Sequence, residues 1–249
     1  MRPLLQFLLG LLSLVGINLY PLPSPKLPSP QPVASPISGA IVNFEGMTYQ
    51  VFTQKITHPE SLKLIPNFTS PKTSQTLLSE NRCKFGTNAG FYTSNHTPVG
   101  LFFIAPNYYN RVVSTSQLVN GFVYKKQKQL SLSEIAPPLD QVDFVFQSGP
   151  LFTPAAKLSI RNDEHTRRVL VGKTENEEVY LLAIVEQDNH NSGPFLSDLP
   201  RLTEQFNNTA IKQFTVFINL DGGAASAFFG ADNTRLQELV PIGSFLCGS

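Results

Sequence analysis

An aspartate that directly follows an apolar run is the strongest candidate for chemistry in this sequence. The run Phe214 to Leu220 ends at Asp221, which Gly222 and Gly223 follow. A carboxylate at a strand end is held by a rigid element and can still face a substrate, and the glycines let that substrate approach the main chain. A plain Asp-Gly hairpin turn between this run and residues 224–229 is the competing interpretation, because Asp-Gly is a common hairpin signal.

A second polar segment lies around Asn88. This asparagine offers a donor and an acceptor to a sugar hydroxyl or a phosphate, Gly90 allows an unusual backbone angle, and the ring of Phe91 or Tyr92 can lie against a sugar. The alternative is structural, because Asn and Gly are frequent in loops and aromatic residues usually belong to the core.

A third segment, residues 161–168, is charged and leads into a short apolar strand. The guanidinium of Arg168 stands just before that strand, where it could bind phosphate oxygens through two parallel hydrogen bonds. The alternative is a solvated loop whose arginines pair with Asp163 and Glu164. Ser148 follows another apolar run. Because the sequence shows no partner base, a turn residue is a better interpretation of Ser148 than a nucleophile.

Several classes of function are not supported by the sequence. The formal net charge is +1 and no lysine and arginine stripe is present, so we expect no nucleic-acid partner. The sequence lacks the Gly-x-Ser-x-Gly, phosphate-loop and His-Glu-x-x-His motifs. Its histidines share no metal-ligand spacing, so neither a transition metal nor another cofactor is expected. These four residues are His58, His96, His165 and His190.

Short β-branched and aromatic runs dominate the chain from residue 39 onward. They predict an α+β domain with a mixed, largely antiparallel sheet and a few helices. The spacing of Leu199, Leu202 and Phe206 predicts a helix over Ser197 to Phe206 with Ser197 as its cap. The other predicted elements are a hairpin around Glu45-Gly46, strands at Val99 to Ile104, Gly121 to Tyr124, Val142 to Gln147, Val169 to Val171, Val179 to Val185 and Phe214 to Leu220, and weaker helices near Pro71 to Leu78 and Leu236 to Val240.

The first 37 residues differ from the rest of the chain. Residues 1–20 have one positive charge ahead of an apolar stretch and predict an export signal, although an uncleaved membrane anchor through residues 3–20 is a second interpretation. The proline-rich residues 21–37 predict an extended spacer, so the domain is expected at 38–249 and outside the cytoplasm: periplasmic, secreted or anchored at the outer face of the membrane. The sequence leaves open whether Cys83 and Cys247 form a disulfide or remain free thiols.

Four segments, taken in order, resemble the phosphodiester glycosidase family. Its members carry segments similar to Asn-Gly-Gly-Phe-Phe, Gly-Pro-Leu, Arg-Thr-x-x-Gly and Leu-Asp-Gly-Gly-Gly-Ser, and the resemblance covers roughly residues 40 to 245. The matching segments here are Asn88-Ala89-Gly90-Phe91-Tyr92, Gly149-Pro150-Leu151, Arg168-Val169-Leu170-Val171-Gly172 and Leu220-Asp221-Gly222-Gly223-Ala224-Ala225-Ser226.

The resemblance implies an exported hydrolase that cleaves a sugar from a sugar-1-phosphodiester, small or polymeric, in envelope or exopolysaccharide metabolism. It implies Asp221 and Arg168 as catalytic residues. It also implies a set of substrate-binding residues: Asn88, Gly90, Phe91, Gly222, Gly223 and Ser226.

The chain departs from the family pattern at several positions. Ala89 and Ala224 replace glycines, Val169 stands where the family has Thr, and the Ser comes one residue late, at Ser226. Loss of a hydroxyl and of a flexible position is expected to alter the phosphate pocket. A non-catalytic module that binds polysaccharide or phosphosugar is therefore the alternative function.

Overall fold

The hairpin predicted around Glu45-Gly46 opens the described part of the chain. In the computed structural model, which describes residues 39–154, 156–209 and 213–249, strands β1 (Ala40–Phe44) and β2 (Met47–Lys55) pair antiparallel, with Phe44 opposite Met47. Glu45 and Gly46 have φ values of 48° and 81°, the left-handed conformation that a tight two-residue hairpin turn needs. The predicted export signal, anchor and spacer lie in residues 1–37, outside the described residues.

The described residues form sixteen strands in three sheets, and every strand pair between them is antiparallel. The first sheet has the order β1, β2, β12 (Val179–Glu186), β11 (Arg168–Thr174), β13 (Phe214–Asn219) and β10 (Leu151–Phe152). The second has the order β15 (Arg235–Leu236), β14 (Phe228–Phe229), β4 (Phe85–Asn88), β16 (Ser244–Gly248) and β3 (Lys63–Pro66). The third has the order β6 (Asn107–Asn110), β5 (Phe102–Ile104), β9 (Phe144–Ser148), β7 (Gly121–Lys126) and β8 (Gln129–Ser133).

The central core contains side chains from all three sheets. Strand β12 shows how the first sheet is buried on both faces: Leu181, Ala183 and Val185 join the central core, whereas Leu182 and Ile184 join a second cluster on the opposite face. Successive side chains of a strand point to opposite faces, so a continuous apolar run fits a strand that is covered on both sides.

Two helices cover the outer faces of two sheets. Helix α2 (Leu199–Thr209) packs Leu199, Leu202 and Phe206 against the first sheet, as their spacing predicts. Helix α1 (Ser74–Glu80) packs Leu77 and other side chains against the second sheet. The α+β class is confirmed, and the sheets are antiparallel rather than mixed.

Some local predictions are wrong. Residues near Leu236 form the short strand β15 and a loop instead of a helix, because Leu236 pairs with Phe228. Ser197 does not cap α2; it lies within a 3-10 turn, where the carboxylate of Asp163 accepts hydrogen bonds from the N–H groups of Leu196 and Ser197. A carboxylate distant in sequence thus takes the place of the predicted cap.

The two cysteines form a disulfide. The bond joins Cys83, just after α1, to Cys247 in β16, and the Cα atoms are 5.8 Å apart. Cys247 is buried in the cluster between α1 and the second sheet. The bond therefore connects the last strand to the segment between α1 and β4. Within the described ranges, no helix is long and apolar enough to cross a membrane.

Candidate functional site

Asp221 lies where the first and second sheets meet. Strand β13 ends at Asn219, after which the N–H of Leu220 donates to the oxygen of Val169 over 2.8 Å and the N–H of Asp221 donates to the oxygen of Ala89 over 3.0 Å. Val169 belongs to the first sheet, and Ala89 follows β4 of the second. The aspartate is thus positioned by both sheets.

The segment after Asp221 is not a hairpin turn. Strand β13 pairs with β10 and β11, whereas β14 pairs with β4 and β15 in the second sheet. The two glycines therefore carry the chain from one sheet to another, which excludes the plain Asp-Gly hairpin.

Asn88 is buried at the same junction, and both ends of its amide contact the main chain. Its Nδ2 donates to the oxygen of Asp221 over 2.5 Å, and its Oδ1 accepts from the N–H of Ala227 over 2.8 Å. The side chain thereby ties the end of β4 to the chain on both sides of the glycine segment. Asn88 is brought to Asp221, but its amide is largely engaged within the protein.

Arg168 is also brought to the junction. Its Nε donates to the oxygen of Pro194 over 3.0 Å, and its Nη2 donates to the oxygen of Glu164 over 2.7 Å and contacts the carboxylate of Asp163 at 3.3 Å. Nη1 makes no hydrogen bond to any described residue, and a β-carbon added to Gly222 would lie 3.7 Å from it. The side chains of Arg168 and Asp163 are only 9% and 12% exposed, so this ion pair is not the solvated loop of the alternative interpretation.

The neighbouring arginine is a structural residue that the sequence analysis missed. Arg167 is 2% exposed, and its guanidinium donates to three main-chain oxygens: Gly223 at 3.1 Å, Ala224 at 3.2 Å and Gln237 at 2.8 Å. Its own carbonyl accepts from the N–H of Gly223 over 2.9 Å. Consecutive side chains at the start of a strand point to different sides. The Arg-Arg pair is therefore a sequence signal that one arginine can bind the main chain while the other faces the site.

Burial changes the protonation of Asp221. Although the residue is partly exposed, desolvation of its carboxyl raises the pKa of Asp221 to about 7, and the hydrogen bond from Gly222 N–H opposes this only in part. The pKa of Tyr92 is raised by burial and then by the negative charge of Asp221. The Tyr92 hydroxyl donates to the oxygen of Pro241. With a pKa of about 7, Asp221 can exchange a proton near neutral pH.

Asp163 differs from Asp221. Burial alone would raise the pKa of its carboxyl, but hydrogen bonds from Ser197 and Leu196, together with the charge of Arg168, lower the pKa below its ordinary value. Asp163 thus remains an anion that anchors Arg168, and its protonated form is not available as a proton donor at neutral pH.

The other predicted residues, Gly90, Phe91 and Ser226, differ in how far they are buried. Gly90 does not adopt the left-handed backbone that would require a glycine; instead, a β-carbon added to it would lie 2.7 Å from the oxygen of Gln147, so this glycine allows close packing against β9. Phe91 is half-buried. The hydroxyl of Ser226 is buried and donates to the oxygen of Arg167 over 3.3 Å.

Gln147 and Ser148, which directly precede the Gly149-Pro150-Leu151 segment, are structural residues. Gln147 is buried and its amide bonds to the main chain of Leu101, Ser114 and Val119, while the Ser148 hydroxyl donates to the oxygen of Asn219. Ser148 is therefore a structural residue at the strand end, as the sequence favours. Among the residues that the structure describes, no group of three or more His, Cys, Asp or Glu side chains could hold a metal ion.

Comparison with known proteins identifies related structures and the family. Two similar solved structures share the fold. The first is a hypothetical protein from Synechocystis, with a TM-score of 0.54 and 13% identity over 84% of this chain and 61% of that one. The second is the catalytic domain of zebrafish N-acetylglucosamine-1-phosphodiester alpha-N-acetylglucosaminidase, auto-inhibited by its pro-peptide, with a TM-score of 0.52 and 15% identity over 80% of this chain and 82% of that one. This chain thus spans less than two thirds of the Synechocystis protein's length. None of the curated proteins matches the sequence significantly. The family model for phosphodiester glycosidase matches residues 81–244, which is more than half of the sequence and includes every segment of the junction, and the chain therefore belongs to the phosphodiester glycosidase family.

Proposed function

We propose that this protein hydrolyses a sugar-1-phosphodiester and releases a free sugar and a phosphomonoester. The observation that carries the proposal is that Arg168, which is distant in sequence from Asp221, places its Nη1 beside Gly222, the residue that follows Asp221. Family membership supports the reaction class.

Arg168 is suited to bind the phosphate. Its Nε and Nη2 are held by the protein, so the guanidinium is fixed in place, while Nη1 beside Gly222 retains donor capacity. A fixed positive charge can stabilise the negative charge that develops on the departing phosphate oxygen without reorganisation during the reaction. Gly222, which has no side chain, places no β-carbon over this donor.

Asp221 is suited to act on water. In the ionised form, its carboxylate takes a proton from a water molecule as the water oxygen bonds to the anomeric carbon. The bond from that carbon to the phosphate oxygen breaks, and its electron pair leaves with the phosphomonoester beside Arg168. A pKa of about 7 makes Asp221 a better base at neutral pH than an ordinary aspartate. The carboxylate can also stabilise the positive charge that develops on the sugar.

Asn88 contributes mainly by positioning in this proposal. Its amide holds the main chain of Asp221 and Ala227, so it sets the direction in which the carboxylate points. Gly90 lets the segment pack against β9, and the half-buried ring of Phe91 is the candidate wall for the sugar.

The name of one relative and the first residues of the chain indicate a substrate and a setting to test. The zebrafish relative is named for an N-acetylglucosamine-1-phosphodiester, so an N-acetylglucosamine substrate is the first to test. The leader-like residues 1–20 support an exported protein that acts on envelope or exopolysaccharide material.

The test is release of free sugar by the purified full-length protein from UDP-N-acetylglucosamine and from a methylphospho-sugar. We expect Asp221→Asn to lower kcat by at least about a hundredfold, whereas Asp140→Asn, on an exposed loop of the third sheet, should behave as wild type. The value of kcat/KM should rise as the pH passes about 7, because the base must be ionised.

Two results would count against the proposal. Binding of a phosphosugar without release of sugar by the wild type would favour the non-catalytic module. Full hydrolysis by Asp221→Asn would show that the aspartate is assigned wrongly even if the reaction class is right.

A further inference from the structure

Thr166 places a hydroxyl against the second glycine of the junction. A β-carbon added to Gly223 would lie 3.1 Å from Oγ1 of Thr166, just as one added to Gly222 would lie 3.7 Å from Nη1 of Arg168. The two consecutive glycines thus lie beside a hydroxyl and a guanidinium nitrogen. Because neither glycine has a side chain, neither one covers these two groups.

The Thr166 hydroxyl is available to a ligand. It makes no hydrogen bond to any residue in the described ranges, and Thr166 is partly exposed. The hydroxyl of Ser226, at the same junction, is buried and donates to the oxygen of Arg167. Val169 has no hydroxyl to offer, and its side chain is fully buried in the central core. The departure at Val169 therefore concerns packing, and Thr166 offers the hydroxyl that this junction presents.

The main chain that carries Thr166 is held firmly. A β-carbon on Gly193 would lie 2.5 Å from the oxygen of Thr166 and 3.1 Å from Cα of Arg167, so the loop before α2 packs directly on this segment. Arg167 in turn binds the oxygen of Gly223 on the facing segment. The distance from the hydroxyl to the glycines is therefore set by contacts on both sides, as a preorganised site requires.

We propose that the Thr166 hydroxyl donates a hydrogen bond to a phosphate oxygen of the substrate, next to the one bound by Arg168. The inference rests on the proposed function and adds a specificity-determining residue to it. A hydroxyl and a guanidinium together suit an anion with several acceptor oxygens. Thr166 then helps to select phosphodiesters over glycosides whose leaving group carries no phosphate.

The experiment compares Thr166→Val, which loses the hydroxyl but keeps the shape, with Thr166→Ser, which keeps the hydroxyl. Thr215→Val is the matched control, because Thr215 is exposed at the opposite end of β13 from Asp221 and its hydroxyl donates to Lys173. For each full-length protein, kcat, KM for UDP-N-acetylglucosamine, the inhibition constant of inorganic phosphate and the melting temperature are measured.

We expect Thr166→Val to raise KM and the phosphate inhibition constant about tenfold, the loss typical of one hydrogen bond to a charged group. Thr166→Ser and Thr215→Val should stay within about threefold of wild type. An unchanged phosphate inhibition constant in Thr166→Val would overturn the inference, as would a serine variant as impaired as the valine variant. If Thr166→Val does not fold, Thr166→Ala replaces it with the same expected loss.

Failure of the proposed function can be told apart from failure of this inference. If the wild type releases no sugar, the hydrolase proposal fails, and calorimetric binding of inorganic phosphate then tests Thr166 by itself. Tighter binding by wild type than by Thr166→Val would support the assignment. Equal binding, or none by either protein, would overturn it.

Discussion

The side-chain amide of Asn88 lies 2.5 Å from the main-chain oxygen of Asp221, so a residue 133 positions earlier in the chain holds the proposed catalytic aspartate. Because Asn88 also accepts from Ala227 N–H, Asn88→Ala removes the partner of a buried N–H and of the partly buried oxygen of Asp221. We expect a loss of about 2–4 kcal/mol in the free energy of unfolding, measured by urea denaturation. Asn43→Ala, at an exposed position of β1, should cost less than about 1 kcal/mol. A loss as small in Asn88→Ala would show that the bridge is unimportant.

Arg167 should contribute to stability through its hydrogen bonds to the main chain. Arg167→Lys loses most of the three hydrogen bonds to main-chain oxygens and should lower the free energy of unfolding by about 3 kcal/mol. Arg235→Lys is the control, because Arg235 is exposed on β15 and should tolerate the change. Urea denaturation measures both variants. Equal stability of the two would mean that Arg167 does not hold the glycine segment.

The raised pKa of Asp221 predicts a pH-dependent effect on stability. Since the pKa rises from the ordinary 3.8 to about 7 on folding, the ionised carboxyl is disfavoured in the folded state, and the associated stability is lost as the pH rises from about 4 to about 7. Asp221→Asn cannot ionise, so relative to wild type it should gain stability over this range, reaching at most about 4 kcal/mol at pH 8. Denaturation at pH 4 and pH 8 measures the difference. A gain that does not grow with pH would contradict the shift.

Glycines with the same backbone conformation test what the junction requires. Gly223 has φ of 63° and Gly46 has φ of 81°, so Gly223→Ala and Gly46→Ala should each lose about 1 kcal/mol of stability. A β-carbon at Gly46 meets nothing within 4 Å, whereas one at Gly223 lies 3.1 Å from the hydroxyl of Thr166. We therefore expect only Gly223→Ala to lose activity, measured as release of sugar. Normal turnover by Gly223→Ala would mean that substrate does not approach this glycine.

The disulfide should make a large contribution to stability. Cys83 and Cys247 are separated by 164 residues, and closing so long a loop restricts the unfolded chain strongly. Reducing agent should lower the free energy of unfolding of the wild type by about 4 kcal/mol. It should leave a Cys83→Ala, Cys247→Ala double variant unchanged. A wild type whose unfolding is insensitive to reductant would contradict this.

Local elements of the fold could be predicted because their signals depend on near neighbours. The left-handed turn at Glu45-Gly46 and the single apolar face of α2 follow from residue types a few positions apart. Strand β13 also follows from its apolar run, as does the position of Asp221 just beyond its end. The order of four weak segments was enough to indicate the family, which the family match bears out.

Contacts between distant residues could not be predicted in this way. The sequence alone determined an α+β chain with mostly antiparallel strands and an aspartate at a strand end, because the strand and helix periodicities depend on residues close together in the sequence. Only the tertiary structure decided that Arg167 binds the oxygen of Gly223 while Nη1 of Arg168 lies beside Gly222, that the Asn88 amide is bound by the main chain, and that a threonine hydroxyl lies beside Gly223. These relations depend on how two sheets pack at one junction, and the free energy of that packing is spread over contacts between residues far apart in the chain.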